Sequence, residues 1–110
     1  MRSTSAVSEV AWQVNERGAH ALEVVLHKAT YVLPWSQFLY AEGGEDEVRL
    51  VFATHDVMVK GSGLGALLTD VAAHRLAALA EPLSPDRFMG RGVPSVREVA
   101  VRKVGQGEDS

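Results

Sequence analysis

The stretch Gly61-Ser62-Gly63-Leu64-Gly65-Ala66 is where this sequence comes nearest to chemistry. Its spacing satisfies a loose dinucleotide-binding fingerprint, in which glycines let backbone amides approach a phosphate at the positive end of a helix. His55, a short way upstream, would be the nearest proton-transfer group. The context opposes that reading. The fingerprint belongs to a parallel βαβ unit, whereas short turns precede this loop, and too little chain follows Ala80 for the rest of such a domain. No Gly-Lys-Ser or Gly-Lys-Thr is present, so a phosphate-binding loop of that type is excluded. The same residues also describe a strand-to-helix corner, with Gly61 or Gly63 at positive φ and Ser62 capping the helix.

Other candidates are weaker. Ser62 is flanked by adjacent glycines, but a nucleophile elbow needs them two positions away, where Lys60 and Leu64 stand. His20 and His27 have opposite strand parity, and no pair of histidines has the spacing of a zinc site. His55 beside Asp56 reads as a turn pair. Glu42, Glu45, Asp46 and Glu47 form an acidic loop of the kind that water solvates. The sequence therefore assigns no catalytic residue, no metal site and no cofactor. Gly61, Ser62, Gly63 and His55 stand as the one candidate ligand-binding group.

These residues must be held by a small framework. The chain has 110 residues, which suits one domain spanning 1–110, ordered from about 9 to 104, with flexible ends at 1–5 and 105–110. A formal net charge of −3 offers no general attraction to nucleic acid or to an anionic membrane. The absence of cysteine excludes disulfides and fits a cytoplasmic setting. No apolar run is long enough to span a bilayer as a helix.

Val10, Trp12 and Val14 alternate as a strand would, while Val7, Val10, Ala11 and Val14 have helical spacing with Gly18 at the cap position. The strand is preferred, because the helix would leave Trp12 in water. Leu22, Val24 and Leu26 share one side of a strand starting at His20, which runs on through Ala29, Tyr31 and Leu33 until Pro34 ends it. Trp35 to Glu42 reads as a further strand, or a strand with a short turn at its start. Tyr31, Trp35, Phe38, Tyr40 and Phe52 have the strand spacing of core aromatics. Gly43-Gly44-Glu45-Asp46 makes a hairpin loop, and Thr54-His55-Asp56 a second tight turn. Val48, Leu50 and Phe52, then Val57 and Val59, point to the core, and Val99 and Val101 mark a last strand. Short connections imply an antiparallel meander.

From Ser62 or Gly63 a helix is expected to run to about Ala80, where Pro82 blocks it. Leu64, Leu67, Leu68, Val71, Leu76 and Leu79 occupy one half of its wheel. Ala66, Ala73, Ala77 and Ala80 occupy the other, a small uncharged face that suggests a second contact surface. Arg75 projects from the apolar arc, so its guanidinium should meet a carboxylate or backbone carbonyls.

The expected fold is α+β: a curved antiparallel sheet or partly open barrel of five to six strands, covered by one long helix, with a final C-terminal strand. The expected function is a small soluble non-enzymatic interaction module that self-associates or binds a protein partner, with Ala66, Ala73, Ala77 and Arg75 as the interface. Neither nucleic acid nor membrane is expected as a partner. The alternative is a small-ligand or anion-binding protein, or an enzyme, using the Gly61–Gly65 loop.

Overall fold

A computed structural model describes residues 11–82 and 94–104. The expectations for residues 1–5, for the return that begins at Leu83 and for the tail 105–110 lie outside them. Strand takes up 57% of the described residues and helix 13%, which overturns the α+β plan. The strands are β1 (Trp12–Val14), β2 (Ala21–Val25), β3 (Thr30–Pro34), β4 (Phe38–Gly43), β5 (Glu47–Phe52), β6 (His55–Ser62), β7 (Leu76–Ala80) and β8 (Ser95–Lys103). One helix, α1 (Gly65–Ala72), joins β6 to β7.

They form two four-stranded sheets, ordered β1-β7-β2-β3 and β4-β5-β6-β8, with no closed barrel. The sheets share one core. Leu22, Val24, Leu33 and Leu79 come from the first, Val48, Leu50, Phe52, Val57, Val59 and Val99 from the second, and Leu64, Leu67 and Val71 from the α1 region. In β5, β6 and β8 the inward residues are the alternating valines, leucine and phenylalanine that the sequence marks.

The long helix is the main error. It ends at Ala72, and Leu76–Ala80 is a strand between β1 and β2. Two features of the sequence mimic a helix there. Leu76 and Leu79 are both fully buried although three residues apart, which is helical spacing. A register shift against β1, with Val14 opposite Leu76 and Gln13 opposite Ala78, leaves Ala77 as an extra residue and resets the strand's parity. Alanine's helical preference is worth less than about 1 kcal/mol per residue. A strand at this place satisfies ladders on both sides, and each buried backbone group left unpaired would cost about 1–3 kcal/mol. Pairing wins.

The end of α1 is built accordingly. His74 takes φ 56, its N–H donates to the Val71 carbonyl (2.9 Å), and the Arg75 N–H donates to the Asp70 carbonyl (3.0 Å). This double closure is a Schellman cap with histidine where glycine is usual.

Two further expectations change. The single strand from His20 to Pro34 is a hairpin, β2–β3, closed by the Leu26 N–H on the Ala29 carbonyl (2.8 Å). Its His27-Lys28 turn carries none of the glycine, asparagine or proline that marks turns. The turn before β6 is Ala53-Thr54, and His55 and Asp56 already belong to the strand. Nor are the sheets wholly antiparallel, because β2 and β7 run parallel. The short turn at Trp35–Gln37 before β4 is present as one turn of 3-10 helix.

Candidate functional site

The Gly61–Gly65 corner is packed on its own chain. A Cβ on Gly61 would run into the Ser95 carbonyl, so β6 and β8 meet there at glycine distance. Gly63 has φ 68, the left-handed conformation expected of this corner. The Ser62 and Ser95 hydroxyls lie 3.0 Å apart. Two of the corner's amides are engaged. The Gly61 N–H donates to the Asp46 carbonyl and the Leu64 N–H to the Glu45 carbonyl, both at 3.0 Å. The Glu45 carboxylate also sits against Gly65, where it would repel an incoming phosphate. His55 begins β6 and Ser62 ends it, about 23 Å apart at about 3.3 Å per strand residue. His55 packs instead on Tyr31, 5.5 Å between ring centroids, with Thr54 Oγ1 2.8 Å from its Nδ1. The four residues are not brought together.

The expected interface is also dispersed. Ala66 lies on α1 and Ala73 caps it, both exposed, while Ala77 is half-buried at the bulge of β7. Arg75 is in the turn between them and does meet carboxylates. Its Nη2 donates to Asp70 Oδ1 (2.9 Å), and Nη1 lies 3.8 Å from Glu16 Oε1. Asp70 Oδ2 accepts from Trp12 Nε1 (2.9 Å). The Schellman turn, not a helix stripe, puts Arg75 there.

The two outward sheet faces differ sharply. On β4-β5-β6-β8 the register turns Glu42, Glu47, Arg49, Asp56, Lys60, Glu98 and Arg102 outward, together with Tyr40, Val51, Met58 and Ala100. Arg49 donates to Asp56 Oδ2 from Nε (3.2 Å) and Nη2 (2.9 Å), and from Nη1 to Glu42 Oε2 (3.3 Å). The hydrogen bond to Asp56, then that carboxylate's charge, holds the Arg49 pKa above its ordinary value. A hollow of about 570 Å³ opens beside this cluster, lined by Glu42, Glu45, Asp46, Glu47, Arg49 and Met58. One of its carboxylates, Glu42, is already paired with Arg49.

On β1-β7-β2-β3 the outward positions are Gln13, Ala78, Ala80, Ala21, Glu23, Val25, Thr30, Val32 and Pro34. Glu23 is the one charge among them. Val32 is 63% exposed and Val25 38%. Of the four alanines expected to share a small uncharged helix face, only Ala80 lies on this surface. The signal lay in the sequence as valines at outward strand positions, but parity alone does not say whether a side is covered.

Among the described residues no helix is long and apolar enough to cross a membrane, and no group of three His, Cys, Asp or Glu side chains is placed to hold a metal ion. Compared with protein-family models, curated proteins and solved structures, the chain matches none.

Proposed function

We propose that this chain is a non-enzymatic interaction module that self-associates through the β1-β7-β2-β3 sheet. The supporting observation is the charge contrast between the two outward faces. Outer positions of a water-facing sheet are ordinarily polar. Four strands about 4.8 Å apart, with about 3.3 Å per residue, make a patch of roughly 300 Å², a size at which surface patches are often functional. That is well short of the roughly 800 Å² per partner of a stable dimer, so the association is weak and concentration-dependent. Freedom from cysteine suits a reducing compartment such as the cytoplasm.

Sedimentation equilibrium from micromolar to millimolar protein, with amide chemical shifts followed on dilution, tests the reading. Reversible association with shifts confined to β1-β7-β2-β3 is expected. A monomer throughout, or shifts centred on Arg49 and Asp56, overturns it.

A further inference from the structure

We propose that the partner is a second copy of this chain, paired edge to edge along β3 about a two-fold axis at Val32. This rests on the reading above that the β1-β7-β2-β3 sheet is the contact surface. The argument begins with the hydrogen bonds of β3. In an antiparallel pair, alternate residue pairs exchange both main-chain bonds. The Leu26 N–H bond to Ala29 and the Trp35 N–H bond to His20 fix which pairs these are, so Val24/Tyr31 and Leu22/Leu33 are bonded too. The main-chain groups of Thr30 and Val32, and the Pro34 carbonyl, therefore point away from β2. Among the described residues no other strand pairs with β3.

An antiparallel copy centred on Val32 pairs each Val32 N–H with the other copy's Val32 carbonyl. It also pairs each Thr30 N–H with the other copy's Pro34 carbonyl. Both outward donors of the strand are then satisfied, and the donor that proline lacks is the one left out. An axis at Tyr31 would satisfy the same two donors by pairing Thr30 with the other copy's Val32, but only the axis at Val32 sets the two Val32 side chains directly opposite each other. β3 carries no charge, so no like charges oppose each other in this register. Lys28 lies before the strand and faces uncharged Ser36 of the other copy.

The other edges are guarded in ways that β3 is not. β1 is only three residues long. β4 is irregular between Phe38 and Tyr40. β8 carries Arg97, Glu98, Arg102 and Lys103. Short length, bulges, charge and proline are the usual protections of a sheet edge, and of these β3 has only Pro34, at its end. β3 instead exposes Val32, and each copy's Val32 lies beside the other across the axis.

A five-residue strand pair covers less than the roughly 800 Å² per partner of a stable dimer, so the test belongs at hundreds of micromolar. Val32→Lys and Val32→Glu should each weaken self-association about tenfold or more. Their equimolar mixture should restore it. The Thr30 and Val32 amides, which point away from β2, should gain protection from hydrogen exchange on association, whereas face-to-face packing would leave them exchanging. Sheet-confined association that leaves these amides unprotected, or that the mixture fails to restore, overturns the edge pairing and leaves the proposed function standing. A wild-type chain that stays monomeric overturns both.

Discussion

The imidazole of His74 lies flat on the indole of Trp35, with ring centroids 5.4 Å apart and planes 13° apart. Phe38 closes the pair edge-on, and Trp35 Nε1 donates to the Leu76 carbonyl (3.0 Å). His74 is the one non-glycine residue at positive φ among those described, and its own carbonyl accepts the Ala19 N–H. The stack thus holds a strained residue where α1 hands over to β7. The strain costs about 1–2 kcal/mol, and an aromatic stack returns about 0.5–1.5 kcal/mol. His74→Gly relieves the strain and loses the stack, so its stability should stay within about 1 kcal/mol of wild type. His74→Ala loses the stack and keeps the strain. Urea denaturation should rank alanine below glycine by roughly 1 kcal/mol; the reverse order would mean that the backbone at residue 74 is not left-handed.

Two neighbouring glycines should respond differently to the same methyl group. Gly61→Ala forces the β6 and β8 backbones apart at Ser95 and should cost roughly 1–3 kcal/mol. At Gly65 the added carbon meets only the Glu45 carboxylate, the far end of a flexible side chain. Gly65→Ala should be neutral, or stabilising by up to about 1 kcal/mol through helix propensity. Thermal melts of the two variants side by side give the contrast, and equal losses would contradict it.

The Arg49–Asp56 pair should show as coupling. Asp56 is almost wholly buried, so Arg49→Met leaves a carboxylate facing out of water without its main partner. Arg49→Met and Asp56→Asn should each destabilise, and together lose less than the sum of the two. Arg49→Lys should not rescue, since one ammonium cannot replace two donors of a fork. The sign of the pH effect follows from the raised pKa of a base. The stabilisation is complete below the unfolded value and drains away only as pH climbs through the raised folded value, in strong alkali. Between about pH 6 and 10 the melting difference between wild type and Arg49→Met should therefore be flat on this account.

Ala80→Thr decides between the helix that the sequence suggests and the strand that is found. In a helix, threonine for alanine costs roughly 0.5 kcal/mol. At an exposed position on β7 it should stabilise by a few tenths up to about 1 kcal/mol. The direction of the denaturation midpoint shift suffices, and a downward shift would count against β7.

Much of the second sheet is legible in the sequence, because Val48, Leu50, Phe52, Val57, Val59 and Val99 keep strict alternation between clear turns. So is the corner after β6, since a chain leaving a strand for a helix within three residues needs a left-handed residue, and Gly63 is one. The first sheet is not. A bulge at Ala77 gives Leu76 and Leu79 helical spacing, and an unmarked turn at His27-Lys28 hides a hairpin. Arg75 reaches its carboxylate as expected, but through the cap of a short helix. The outward face of Val25 and Val32 is written in strand parity, yet only the arrangement of two sheets around one core shows that nothing described covers it.

The parallel pairing of β2 with β7 has a consequence for how the chain acquires its fold. Residue 23 must find residue 78 before the first sheet is complete, whereas β4 and β5 pair with their immediate successors, β5 and β6. Such distant contacts place folding toward the slow end, in the range of roughly milliseconds to seconds. Until α1 carries β7 back, β1 and β2 flank an open slot lined by unpaired backbone. During synthesis that slot cannot close until Ala80 has left the ribosome. In a chain halted before Leu76 the first sheet has only its β2–β3 hairpin, and the edges of β1 and β2 that β7 will cover are unpaired, the kind of edge that favours aggregation.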